Sequence, residues 1–200
     1  MIAHEVNNSV AGIIGSLTGD EAERLTALSA FVTRFAEVVK IPQPQLQLCD
    51  LSEEVEACRP FLENLCMQAH VHIDFRLTDE AVPVHLDTVL FQQVLINIVK
   101  NAVESIGKAT GRRVSGNATQ GLVTLEVTTP ATLTITDNGH GIPPAIAKNL
   151  FTPFFSTKPQ GQGLGLLLIR DILTSHHCTF NLLTDPEDHL TRFTIQFPHK

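Results

Sequence analysis

The chain of 200 residues has neither tryptophan nor tyrosine, no basic block and no long apolar run. The missing aromatics carry no functional reading, but the other absences exclude whole classes. No uninterrupted apolar stretch reaches the ~18 residues that suggest a membrane span. The apolar residues near the start are broken by His4, Glu5, Asn7 and Asn8, unlike a secretory leader. This segment is therefore expected to be soluble and cytoplasmic, with no membrane contact of its own. Fourteen Lys and Arg stand against 21 Asp and Glu, a net charge of −7. Without a cationic patch to neutralise phosphates, nucleic acid is not an expected partner. Cys49, Cys58, Cys66 and Cys178 show no CxxC and no paired spacing, so they read as reduced thiols. Nine histidines form no HExxH and no Cys/His cluster, which argues against a structural metal.

What the chain does have is core-forming material. Apolar residues make up 43% of it, enough for one large domain or a small one joined to a medium one. Ile2, Val6, Val10, Ile13 and Leu17 recur at spacings of three and four, one stripe of a helix. Thr18-Gly19-Asp20 breaks that pattern, and Asp20 can cap a second helix with Leu25, Leu28, Val32, Phe35 and Val39 on one face. Pro42-Gln-Pro44 follows as a short stiff linker. Two helices this short cannot bury both apolar faces alone. Pairing with a second copy in a dimeric four-helix bundle solves this, as would packing on the rest of the chain. The expected boundaries are 1–41 for the hairpin and 42–200 for a second domain.

The second domain alternates helix and strand. Leu51 to Ala69 and Leu86 to Ile106 read as helices, and Val71 to Leu77 as a strand. Gly107 to Gly121 reads as a loop, Leu122 to Thr128 and Thr132 to Thr136 as strands, and Leu164 to Ser175 as a helix. Thr179 to Leu183 and Phe193 to Phe197 close a hairpin. This order predicts an α+β sandwich with an antiparallel-leaning sheet and helices on one face.

Three features carry chemistry. Asp137-Asn-Gly-His-Gly-Ile-Pro143 follows a strand; a carboxylate there can accept from an exocyclic amine, and Gly139 and Gly141 permit close backbone approach. The same letters also suit an ordinary Asn-Gly turn. Gly161-Gln-Gly163-Leu164-Gly165 opens a helix, where exposed N–H groups suit phosphate oxygens, although a flexible lid without a ligand reads the same way. Asn97 and Asn101 sit four apart on one face of an apolar helix. Buried amides need partners, and a hydrated Mg2+ would supply them for Asn101; two satisfied core asparagines are the alternative.

Together, Asn97/Asn101, Asp137-Asn-Gly-His-Gly, Phe151-Thr-Pro-Phe154 and Gly161-Gln-Gly-Leu-Gly165 resemble, in order, the N, G1, F and G2 boxes of the ATP-binding domain of sensor histidine kinases. The resemblance implies the GHKL (Bergerat) fold, with ATP and Mg2+ as cofactors. It implies that Asp137 reads the adenine amine, that Asn101 helps hold Mg2+, and that Gly161, Gly163, Leu164 and Gly165 wrap the phosphates with Lys158 reaching toward them. Hydrolases of the same fold carry a water-activating glutamate one turn before the Mg-binding asparagine. Here that residue is Asn97, an amide that cannot act as a base.

Ile2-Ala-His-Glu-Val-Asn-Asn8 resembles the phosphoacceptor H-box. His4 lies about 200° around the helix from Ile2 and Val6, facing away from the apolar stripe. Its imidazole, with an unperturbed pKa of about 6.5, offers a ring nitrogen at pH 7. Glu5 is placed to orient or deprotonate that ring, and Asn8 to position water for dephosphorylation. Alone, a His-Glu pair is also a plain solvated helix face. Arg34 to Pro44 and the short lid from Phe154 to Gly163 match sensor kinases of the nitrogen-regulation type. The resemblance implies a homodimer that phosphorylates His4 and passes the group to an aspartate of a response regulator receiver domain.

This chain departs from that pattern in three places. The H-box lies at the very start, as expected of a fragment of a longer sensor, which could be membrane-anchored. The hairpin is short, and His176-His-Cys178 replaces the usual His-Gly-Gly, a local change of backbone. Two alternatives stay open: a GHKL nucleotide switch or phospho-regulator phosphatase with little autokinase activity, and a non-enzymatic module with a degenerate pocket.

Overall fold

The computed structural model describes residues 43–110, 120–152, 155 and 163–198. The expected hairpin, with His4, Glu5 and Asn8, lies outside the described residues, as do Lys158 and Gly161.

Strand β1 (Gln47–Asp50) leads into helix α1 (Leu51–Gln68). Asp50 fixes the junction: its Oδ1 accepts from the amides of Ser52 (2.8 Å) and Glu53 (3.2 Å), and its Oδ2 accepts from Val82 N (2.7 Å). Leu51, Val55, Cys58, Leu62 and Cys66 form the buried stripe. Strand β2 (His72–Arg76) follows, then β3 (Pro83–Leu86), which pairs antiparallel with β1 as a separate two-stranded ribbon. Neither strand of that ribbon was expected from the sequence, and Leu86 belongs to β3 rather than to the next helix.

Helix α2 spans Thr88–Thr110 and is capped by Asp87, whose Oδ1 accepts from Val89 N and Leu90 N at 3.1 Å. It runs three residues past Gly107, where a loop was expected, because a single glycine costs a helix only about 1 kcal/mol. Strands β4 (Leu122–Thr128) and β5 (Thr132–Asp137), the short helix α3 (Pro144–Ala147), helix α4 (Gly165–Ser175), and strands β6 (Thr179–Thr184) and β7 (Thr191–Gln196) complete the fold.

The main sheet has the order β2-β4-β5-β7-β6, parallel at β2–β4 and antiparallel elsewhere. Alternation gives it one apolar face: Leu125, Ile135 and Phe193 share a cross-strand row, and Val127, Leu133 and Ile195 another. Helix α2 lies over β4 and β5 and packs on α1 and α4; α1 also meets β2, and α4 meets β6. This is the expected α+β sandwich with helices against one face of a mostly antiparallel sheet. No helix among the described residues is long and apolar enough to cross a membrane.

Candidate nucleotide site

The innermost row of the sheet changes character at one end. Register sets Val123, Asp137, Thr191 and Thr184 side by side across four strands, so an apolar row becomes polar where β5 stops. Asp137 is only 7% exposed. Its Oδ1 accepts from Gly139 N at 2.9 Å, and Ser105 of α2 donates a further hydrogen bond to the carboxyl. Burial pushes the Asp137 carboxyl up to about 6, and those two donors offset the shift only in part.

The loop after Asp137 is not a plain hairpin turn. Asn138 clamps it to β4: Oδ1 accepts from Leu122 N at 2.8 Å and Nδ2 donates to Gln120 O at 2.9 Å. A Cβ on Gly139 would collide with Ser105 Oγ and stand 2.8 Å from the Ser105 carbonyl carbon, so only glycine fits against α2. Gly141 has φ +76° and faces Thr184, whose Oγ1 accepts from Ile142 N at 2.7 Å and meets Thr191 Oγ1 at 2.9 Å.

Above Asp137 lies an apolar cavity of about 140 Å³. One face of α2 supplies Ile98, Asn101, Ala102 and Ser105, at the three-and-four spacing of one stripe. Ile135, Ile142, Leu166 and Phe193 close other sides. Its apolar walls suit a flat aromatic base, for which the buried carboxylate offers one polar contact at the floor.

Of the expected site residues, the structure brings Asn101, Asp137 and Gly141 to the cavity wall, and Gly139 shapes the loop beneath it. Asn97 is half-buried rather than buried; its Nδ2 donates to Gln93 O in its own helix at 2.8 Å, and its Oδ1 lies toward Gly165 at the start of α4. Gly163 has φ +68°, and no side chain caps the first turn of α4 after Leu164. Among the described residues, no group of three or more His, Cys, Asp or Glu could hold a metal ion. Asn101 fits Mg2+ only as a single neutral oxygen ligand, with water and phosphate completing the shell.

Phe151 of the third motif packs edge-on against Phe180 (5.4 Å) and Phe193 (6.3 Å), and its carbonyl accepts from Arg170 Nη1 at 3.1 Å. In His176-His-Cys178, His177 has φ +59°, the left-handed conformation that glycine adopts readily, and closes α4 with its N–H on Thr174 O and Cys178 N–H on Leu173 O. His176 is buried and accepts the Asp87 N–H at Nε2 (2.9 Å), so its Nδ1 carries the proton donated to Ile172 O (2.8 Å). Sequence reasoning missed Ser105, His140, Thr184 and Thr191. Ser105 had a signal, being four residues beyond Asn101 on the same stripe; the two threonines join the site only through strand register.

Residues 86–200 match the family described as histidine kinase-, DNA gyrase B- and HSP90-like ATPase. The C4-dicarboxylate transport sensor protein DctS of Rhodobacter capsulatus is 32% identical over 88% of this chain and 29% of its own length. The sensory histidine kinase/phosphatase NtrB of Rhizobium meliloti is 27% identical over 88% of this chain and 52% of its own length. The chain thus spans about a third to a half of these two relatives. Among solved structures, the catalytic domain of histidine kinase ThkA superposes with a TM-score of 0.61 at 26% identity, covering 77% of this chain and 95% of that one. The matched region is the region that builds the cavity, and the chain belongs to the histidine kinase-, DNA gyrase B- and HSP90-like ATPase family, with a GHKL catalytic core of the sensor histidine kinase type.

Proposed function

We propose that this chain is the kinase core of a two-component sensor, which binds Mg-ATP, phosphorylates His4 and passes the phosphoryl group to an aspartate of a response regulator receiver domain. The observation that carries the reading is the buried Asp137 carboxylate at the floor of an apolar cavity, beneath the α2 face that bears Asn101. An ionised carboxylate is an acceptor only, which suits an exocyclic amine. Asn101 would hold Mg2+ through its amide oxygen, and the backbone from Gly161 through Gly163 and Leu164 to Gly165 would donate to phosphate oxygens, with Lys158 beside them. Mg2+, when bound, supplies charge neutralisation at the phosphates.

His4 would attack the γ-phosphorus through a ring nitrogen as the bond to the β,γ-bridging oxygen breaks and ADP departs. Glu5 would take the ring proton. Asn8 would position water for dephosphorylation, a hydrolysis that releases inorganic phosphate. Supporting transfer over hydrolysis, Asn97 offers no base, and its amide N–H is already committed to Gln93 O. The hairpin 1–41 would pair with that of a second copy, in the cytoplasm.

Incubation of the chain with Mg2+ and γ-labelled ATP tests the proposal, comparing wild type with His4→Gln and Asp137→Asn. Acid-labile, base-stable label that is lost in both variants is expected. Nucleotide binding without label would favour a switch or phosphatase, and absence of both would leave a degenerate module.

A further inference from the structure

Among the described residues, the five-stranded sheet ends in two edge strands, β2 and β6. In β2, the parallel register with β4 and the bond from His72 N–H to Gly121 O turn the main-chain groups of His72, Asp74 and Arg76 toward β4. Those of Ile73 and Phe75 therefore point away from the sheet. This strand lacks the usual safeguards of an edge: its five residues pair with β4 without a bulge, and none is proline. An open cleft follows the same edge, walled by Glu63 and Met67 of α1 and by His70, Val71 and Ile73. Met67 is 67% exposed there.

We propose that this edge is an interface between two copies of the chain, in which β2 of one copy pairs antiparallel with β2 of the other and the two sheets become one. The order of side chains selects both partner and register. Asp74 and Arg76 alternate on the face of β2 away from the helices and form an exposed ion pair at 2.9 Å. Because Ile73 and Phe75 carry the outward main-chain groups, they must stand opposite each other or opposite themselves. Ile73 opposite Phe75 would set Asp74 against Asp74 of the second copy, like charges face to face. Ile73 opposite itself would leave Arg76 with no acid across from it. Phe75 opposite itself sets Asp74 against Arg76 of the second copy, twice by symmetry, and Ile73 against Leu77. The charge order thus fits a second copy of this strand in one register. The β6 edge, Thr179-Phe-Asn-Leu-Leu-Thr184, has no charged residue and specifies none. The pairing requires neither nucleotide nor residues 1–41, so it stands apart from the kinase reading.

The test is crosslinking of the full chain in two versions, one with Asp74→Cys and one with Arg76→Cys, mixed and oxidised with diamide. Opposite residues of a non-hydrogen-bonded antiparallel pair lie about 4.5 Å apart at Cα, within disulfide reach, and diagonal ones about 7–8 Å. Peptide masses should therefore show the mixed 74–76 disulfide in several-fold excess over either same-version disulfide. Ile73→Pro in both versions removes an N–H that β4 does not use. It should abolish the mixed disulfide while far-UV circular dichroism stays unchanged. Adding Arg76→Glu to the first version should suppress the disulfide, and adding Asp74→Lys to the second should restore it. If Ile73→Pro fails to fold, this charge exchange decides alone, since it alters only exposed side chains. No disulfide, disulfides in random proportion, indifference of a folded Ile73→Pro chain, or no rescue by charge exchange would overturn the proposal.

Discussion

Replacing Asp137 by asparagine tests the electrostatics of the site without nucleotide. In the folded chain the carboxyl is shifted from an ordinary 3.8 to about 6, chiefly by burial. The native state therefore holds that proton more tightly than the unfolded chain does. The stability this contributes is fully present below about pH 4 and is lost as pH rises through about 6. At 1.36 kcal/mol per pKa unit the loss comes to about 3 kcal/mol, and at 7% exposure solvent screening discounts it little. The amide introduced by Asp137→Asn would not titrate. Its NH2 would face either Gly139 N–H or Ser105 O–H, a mismatch costing about 1 kcal/mol, but that cost is the same at every pH.

The quantity to measure is a double difference: the stability of Asp137→Asn relative to wild type at pH 7.5, minus the same difference at pH 4. With no tryptophan or tyrosine to report unfolding, calorimetry or far-UV circular dichroism is the assay. The variant should gain about 2.5 kcal/mol on wild type between the two pH values, since the unfolded carboxyl is already partly ionised at pH 4, seen as a relative rise in Tm of roughly 3 °C per kcal/mol. Other carboxylates titrate alike in both proteins and cancel. A double difference near zero would show that Asp137 is not shifted, and the description of a desolvated acceptor would fail with it.

Four further substitutions follow from the geometry. His70 and His177 each close a helix in the left-handed region, at φ +56° and +59°, and both are exposed. Glycine at either should stabilise the fold by about 0.5–1 kcal/mol, read as a higher urea midpoint with unchanged m value. His176→Ala leaves the Asp87 N–H without its acceptor and opens a buried hole; a loss of about 2–4 kcal/mol is expected in the same assay. Gly139→Ala forces a Cβ against the backbone of Ser105, so it should cost about 1–3 kcal/mol and abolish binding of Mg-ATP in a titration.

Much of this fold is legible in the sequence, for physical reasons that also mark where reading fails. The stripe Leu51, Val55, Cys58, Leu62, Cys66 repeats along the whole helix, so α1 stands out. The β1–β3 ribbon does not: each strand is four residues long, Pro83 opens one of them, and their pairing joins positions as distant as Gln47 and Leu86. Among site residues, Asp137 and the glycines are visible because a motif keeps them contiguous. Thr184 and Thr191 are invisible because only the β5–β7–β6 register carries them to the loop.

That register also explains why the cavity lies at one end of the sheet rather than beside it. Along β5 the inward positions are Leu133, Ile135 and Asp137, and along β7 they are Ile195, Phe193 and Thr191. The first two rows are apolar and are filled by the helices. In the third, a carboxylate and a threonine stand where a core would place leucine, and α2 meets them with Asn101, Ala102 and Ser105 rather than with bulk. Small or polar residues on both layers leave space that no side chain among the described residues fills, and burial makes that space selective. Filling it from within would abolish the site while leaving the fold intact. The cavity over Asp137 is therefore a property of the paired layers, and its chemistry is set by the one strand end that brings a charge beneath it.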